Sequence, residues 1–468
     1  MKKQTHFLRF GTVGDKAHHS NAVGIFDNLV INANSAAHVS GAIAKFIIEK
    51  LYNRENKGYF IDPITYAFQK NIHKLKNEKG ILKKSISKLI ERYGIASIIN
   101  DGNALGLSYF SKQVTHDFCE KVLNFQYGII QEFVSSDGMS EYLLYDTKTT
   151  LDEIQQIHPK LLIAPYFYLD VNDDDFYKWL DINTGCIKIS KSLGSSYKNL
   201  PVFAQITLNR ACLTDKEKIR YIIHEYATCG CDGYTVWIDD FDEHSVSKEE
   251  LTGFIEFLKG LKDQSENKQI YNMYGGYFSV LLMHREVNLL DAVSHGLEYG
   301  ESREVYPVGG GLPTSKYYFP PLHIRFDFTK AFYLLDYRKI IDTSKENWGT
   351  SKNYFAEICD CRICKETLGN TMLDFTKFES DQHYDVHQKT GAILRRKKAS
   401  KETKQICLYH YLLRKNTEYK SLNKNSLTEL INELLDSYGK YIGCRDIDKN
   451  ELSYIINWYE VLKVHLKG

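Results

Sequence analysis

The sequence predicts an α/β chain: a (β/α)8 TIM barrel over residues 1–340, then a smaller cysteine-containing subdomain with C-terminal helices over 341–468. Three observations carry that expectation. Short apolar runs rich in β-branched and aromatic residues alternate with amphipathic, helix-like stretches, which argues for a parallel sheet wrapped by helices. Such runs recur about eight times, the number that closes a barrel. No Gly-x-Gly-x-x-Gly follows the first run, which argues against an open doubly wound sheet.

Taken in order, the N-terminal stretch MKKQTHFLRFGTVGDK is basic and has no apolar core, so no secretory signal is expected there. Strands are expected at NLVINAN, GYFIDP, KLLIAPYFYL, PVFAQITL, GYTVWI, QIYNMYG, LLDAVS and KYYFPPLHIRF. Helices are expected at AAHVSGAIAKFIIEKLYN, KKSISKLIERYG, DKEKIRYIIHEYATCG and SKEELTGFIEFLKGLK; some close on a glycine, as helix C-termini often do. Residues 65–150 are too long for one strand–helix unit and are expected to hold extra helices. After Phe326 the alternation stops, and a linker leads to a cysteine cluster, a basic stretch and further helices.

Composition narrows the function classes. Of 468 residues, 43% are hydrophobic, ample for a large core with an appended unit. Lys and Arg total 60 against 59 for Asp and Glu, so any nucleic-acid partner must be held by a local basic patch. No apolar run approaches the ~18 residues that span a bilayer. Ten scattered cysteines in so long a chain do not make a disulfide scaffold, and a reducing, cytoplasmic setting is expected.

The stretch FAEICDCRICKE packs Cys359, Cys361 and Cys364 together. Loops that short strain a disulfide, whereas a tetrahedral ion accepts converging thiolates readily. The fourth ligand is sought downstream, at His383, His387 or His410. Three thiolates and an imidazole leave no open position, so the ion expected here, Zn2+, is structural. Buried reduced thiols are the plainer reading, and a poor one for a hydrophilic triplet.

Cys-x-Cys-x-x-Cys followed by a distant His, behind an expected barrel, resembles the zinc subdomain of the tRNA-guanine transglycosylase superfamily. Its members are (β/α)8 barrels that exchange guanine in a nucleic acid for a 7-deazaguanine. YHYLLRK resembles the helix opening that carries the family's zinc histidine, which implies His410 as the fourth ligand. YFIDPITYAFQ resembles the family's second-strand motif and implies Asp62 as a catalytic carboxylate. APYFYLD and PVFAQITL imply Asp170 and Gln205 as base readers, and VNLLDAV aligned on the family's nucleophile strand implies Asp291 as the nucleophile. The family's loop after the fifth strand is replaced by VWIDDFDE, and its anticodon-gripping segment by HGLEYGESREV. The likeness is therefore greater to the branch that modifies DNA, with a preQ0-like base as the incoming group. The same exchange on tRNA is the alternative, and a non-catalytic nucleic-acid-binding paralogue is the rival of another class.

On that resemblance, Asp291 attacks C1′ to form a glycosyl ester and Asp62 orients the base and exchanges its protons. The target nucleotide leaves its stack, with helper proteins as candidate partners for opening the duplex. Trp237 and Tyr274, with Tyr234, lie near expected strand ends and are candidates to sandwich the base; ordinary barrel packing is the plainer reading of each. Arg395, Arg396, Lys397 and Lys398, with Lys401 and Lys404, are candidates for phosphate contacts, or simply a solvated loop. GGGLP at Gly309 to Pro313 lacks the Lys-Ser/Thr of a phosphate loop.

Overall fold

The computed structural model describes residues 5–11, 16–52, 57–145, 149–297, 300–306, 315–386, 391 and 393–465. Two compact units emerge: residues 1–242, 249–283 and 288–308 form one, and 243–248, 284–287 and 309–468 the other. The second unit thus starts ahead of the expected boundary at 340. No helix among the described residues is long and apolar enough to cross a membrane.

The first unit is a nearly closed parallel barrel. Its strands are β1 (Thr5–Phe10), β2 (Asn28–Asn32), β3 (Gly58–Asp62), β4 (Leu162–Ile163), β5 (Val202–Leu208), β6 (Gly233–Ile238), β7 (Gln269–Asn272) and β8 (Ala292–Gly296). They are ordered β3-β2-β1-β8-β7-β6-β5-β4, every pairing parallel. Runs such as VFAQITL and GYTVWI are buried along their whole length, as strands covered on both faces must be. Inside the ring, Phe7 packs edge-on against Phe60 and Tyr271, and Tyr271 against Phe203. Gly233 is required here, because a Cβ would lie 2.4 Å from the Phe203 ring.

Between β3 and β4, where a ladder is lacking, one main-chain bond and two side chains join the ring. Lys160 N–H donates to the Tyr59 carbonyl at 2.8 Å. Beyond the strand ends, Thr65 Oγ1 bonds both the N–H and the carbonyl of Tyr166, and the Gln69 amide does the same for Tyr168. These polar groups satisfy backbone that would otherwise be buried without partners.

Two strand expectations are corrected. β1 lies in the basic N-terminal stretch, where no strand is expected; its apolar residues alternate with His6 and Arg9 and so form no continuous apolar run. KYYFPPLHIRF is no barrel strand but an antiparallel hairpin of the second unit, β9 (Tyr317–Phe319) paired with β10 (Ile324–Phe326). Pro320 and Pro321 carry no N–H and cannot continue a parallel ladder, so the chain turns there.

Helices α1 (Phe176–Leu193), α2 (Lys216–Thr228) and α3 (Lys248–Gln264) follow β4, β5 and β6. In α2, Asp215 accepts the Lys218 N–H as N-cap, and Ile219, Ile222, Ile223 and Tyr226 form the buried stripe. Residues 65–150 hold the expected extra helices, Lys84–Tyr93 and Lys112–Val134 among them. The second unit adds α4 (Arg362–Leu368), α5 (Lys401–Ser421) and a hairpin of β11 (Asp381–Val386) with β12 (Ile393–Lys398).

Candidate active site and metal centre

Asp62 is the last residue of β3 and so stands at the C-terminal end of the barrel, where barrel enzymes keep their chemistry. Its side chain is only 1% exposed. Arg9 Nη2 donates to Asp62 Oδ2 at 2.8 Å and to Asn32 Oδ1 at 2.7 Å. Tyr166 O–H donates to Asp62 Oδ1 at 2.7 Å, and the Ile64 N–H to the same oxygen at 3.1 Å. Burial pushes the Tyr166 phenol well above its ordinary pKa, so it remains a donor. Ile64 holds φ at 48°, a left-handed conformation costly for a β-branched residue. The strain aims its N–H at the carboxylate.

Aromatic rings surround this group. Arg9 lies over the Tyr274 ring at 4.4 Å, and Tyr274 packs on Trp237 with centroids 4.9 Å apart. Tyr66 meets Trp237 edge-on at 5.2 Å and Tyr166 in a stacked pair at 5.7 Å. Arg303 ties the group together: its carbonyl accepts the Trp237 Nε1–H at 3.0 Å and its guanidinium donates to the Tyr274 hydroxyl at 3.2 Å. Among the described residues, none bonds to the buried Arg9 Nη1. Around Asp62 the mouth therefore offers the guanidinium groups of Arg9 and Arg303 and flat apolar faces, suited to a planar ligand rich in acceptors.

Of the expected site residues, the structure brings together Asp62, Trp237 and Tyr274. Asp291 it places elsewhere. That residue precedes β8, its carbonyl accepts the Thr5 N–H at the start of β1, and its Oδ2 lies 2.6 Å from Lys262 Nζ and 2.9 Å from the Ile270 N. It belongs to the barrel floor, with the length of β1 between its level and that of Asp62, roughly 20 Å at ~3.3 Å per residue. The nucleophile reading of Asp291 is corrected on this ground: its carboxylate fastens α3 and β7 beneath the barrel. Gln205 sits mid-strand, its amide oxygen accepting from Thr235 at 2.6 Å and its nitrogen donating to Thr207 at 3.3 Å. Asp170 follows β4 and caps the Asn172 N–H at 3.0 Å. Neither touches Asp62. Tyr234 lies on the outer face of β6, its hydroxyl donating to the Tyr226 carbonyl of α2. Gln69, matched to a family motif, serves the barrel seam.

Sequence reasoning missed Arg9, Asn32, Tyr166 and Arg303. The available signal was an arginine inside an otherwise apolar strand, THFLRF, since a buried cation needs a buried partner.

The second unit holds the candidate metal centre. Cys361 is the N-cap of α4 and Cys364 lies in its first turn, while Cys359 precedes the turn. His410 sits in the middle of α5 and is fully buried. The four ligand atoms all lie within 4.8 Å of one another. His410 Nδ1 is 3.7, 3.4 and 3.2 Å from the sulfurs of Cys359, Cys361 and Cys364. A tetrahedral ion with metal–sulfur bonds of ~2.3 Å and a metal–nitrogen bond of ~2.0 Å sets those edges at roughly 3.5 Å. The donor set fits a metal ion. His410 Nε2 donates to the Tyr318 carbonyl at 2.7 Å, which leaves Nδ1 as a ligand, and Tyr317 stacks on the ring at 4.7 Å. The Tyr354 hydroxyl reaches the Cys364 sulfur at 3.1 Å.

His387 lies outside the described residues, as does Gly309 to Pro313. The backbone of His383 lies in β11 and that of Arg395, Arg396, Lys397 and Lys398 in β12, their side chains being outside the described set. Lys401 and Lys404 begin α5. Comparison of the sequence with protein-family models and with characterised proteins gives no match.

Proposed function

We propose that this chain is a base-exchanging transglycosylase that replaces guanine in DNA with a 7-deazaguanine, its reacting carboxylate being Asp62. The observation that carries this reading is the buried Asp62, fixed by Arg9 and Tyr166 at the barrel mouth under Tyr66, Trp237 and Tyr274. The Cys3His set that follows the barrel supports it, with Zn2+ as the ion. Zinc supplies folding energy there and no chemistry, since the ligands fill a tetrahedron.

In this mechanism a flipped guanosine lies against the aromatic faces. An Asp62 oxygen bonds to C1′ as the C1′–N9 bond breaks, and the pair of electrons leaves with guanine, which takes up a proton. Solvent water supplies that proton, while Tyr166, whose phenol keeps its own, holds the carboxylate in place. The incoming base then attacks C1′ through N9, releases the N9 proton, and restores the carboxylate. Two displacements retain configuration at the sugar. Arg9, with a spare N–H, matches the O6/N7 acceptor edge of guanine.

A second reading is a non-catalytic nucleic-acid-binding subunit, favoured by the position of Asp291 on the barrel floor, which leaves the mouth without one of the two expected carboxylates. Incubation with labelled guanine or preQ0 and either duplex DNA or tRNA separates the readings. Label in DNA that disappears with Asp62→Asn supports the first. Label in tRNA alone moves the substrate class, and label in neither favours the binding subunit.

A further inference from the structure

We infer that the groove between α1 and α2 is a docking track for single-stranded nucleic acid, with phosphates on Lys216 and Arg220 and a base against Tyr177 and Tyr221. The groove has a volume of about 630 Å³ and is lined by Tyr177, Lys216, Glu217, Arg220, Tyr221 and His224.

Two features of the lining point to this ligand. Tyr177 and Tyr221 are 43% and 39% exposed, yet they meet edge-to-face with centroids 5.1 Å apart. An exposed pair of rings is a platform that any base can stack upon. Lys216, Arg220 and His224 recur at four-residue intervals and share one face of α2, with steps of about 6 Å along the axis. Among the described residues no ion pair engages Lys216 or Arg220. Glu217 also lines the groove, and Glu225 and Asp181 act on the Tyr221 hydroxyl, so the cationic charge is confined to the edge that carries Lys216 and Arg220. A line of cations beside aromatic faces is the arrangement that tracks a single strand without reading its sequence. An acidic peptide matches the cations but gains little from the rings.

The groove also opens in the right place. Helices of a (β/α) barrel begin where the preceding strand ends, and Tyr177 is the second residue of α1 while Lys216 is the first of α2. The track therefore starts at the barrel end that carries Asp62. This inference rests on the proposed nucleic-acid substrate and extends it, giving the flanking strand a path away from the flipped nucleotide.

Fluorescence anisotropy of the full chain with a fluorescein-labelled single-stranded oligonucleotide of about 12 nucleotides tests it. Lys216→Glu combined with Arg220→Glu is expected to weaken binding at least tenfold and to flatten the plot of log K against log salt by about 1.4, two phosphates' worth at ~0.7 each. Tyr177→Ala with Tyr221→Ala is expected to weaken binding about tenfold with the slope unchanged. All four substitutions are at the surface, and circular dichroism confirms the fold of each variant. Wild-type binding by both pairs of variants overturns the proposal, and so does equal competition by polyglutamate. Base exchange measured on the same proteins keeps the two ideas apart: absent exchange with groove-dependent binding sinks only the chemistry, and exchange by a wild-type chain that binds no single strand sinks only the track.

Discussion

Arg9 on β1 and Asp62 on β3 meet across the end of β2 at 2.8 Å, with Asn32 of the intervening strand bonded to the same guanidinium nitrogen. Both side chains are withdrawn from solvent, at 4% and 1% exposure. A buried pair of this kind adds little over an apolar replacement, yet breaking it leaves a charge stranded.

Arg9→Met is therefore expected to destabilise the chain by about 3–5 kcal/mol, because it strands Asp62. Urea unfolding measures the loss. Arg9→Lys recovers only part of it, since an ammonium lacks the planar fork that serves Asn32 and Asp62 while lying flat on Tyr274.

Asp291 and Lys262 make the matching test at the floor. Lys262→Met is expected to cost about 3–5 kcal/mol for the same reason. Asp291→Asn is expected to lower the unfolding midpoint while leaving base exchange per folded molecule within about twofold of wild type, the outcome for a residue that touches no substrate. A loss of exchange as deep as that of Asp62→Asn, in protein of normal stability, returns Asp291 to the chemistry.

Metal analysis is expected to find one zinc per chain. Cys361→Ser and His410→Ala are expected to lose it and to lower the melting temperature of the second unit, as does a strong chelator. Because the thiols bind as thiolates, zinc uptake releases protons and its affinity falls as the solution is acidified, which titration in two buffers of different ionisation enthalpy measures.

Acid stability has a distinct source in the second unit. Burial raises the Glu418 carboxyl, but Lys415, His323 and the Tyr318 hydroxyl more than reverse this and bring it to about 2. His323 Nδ1 donates to Glu418 Oε1 at 2.8 Å, and Lys415 Nζ lies 3.1 Å from Oε2. A carboxyl lowered on folding contributes stability above its unfolded pKa of ~4.3, lost as pH falls from there towards about 2. Glu418→Gln is expected to flatten the acid limb of stability against pH by about 3 kcal/mol, read from urea unfolding between those pH values.

The barrel was legible because its cause is local. Parallel strands buried on both faces must be apolar throughout, and β5 and β6 announce themselves in VFAQITL and GYTVWI. β1 stayed hidden because Arg9 and His6 interrupt its apolar character, and their partners are supplied by distant strands. The metal centre divides the same way. Three of its ligands fall within six residues and declare themselves by spacing, whereas His410 is recruited through the packing of α5.

Local pattern, then, determined the alternation of strand and helix, seven of the eight barrel strands and the thiol cluster, since each depends on residues a few positions apart. Tertiary structure decided which end of the barrel each carboxylate occupies. A strand's sequence records which side chains face inward, by a period of two, but not its height against its neighbours. Register alone put Asp62 at the mouth beside Arg9 and Asp291 on the floor beside Lys262.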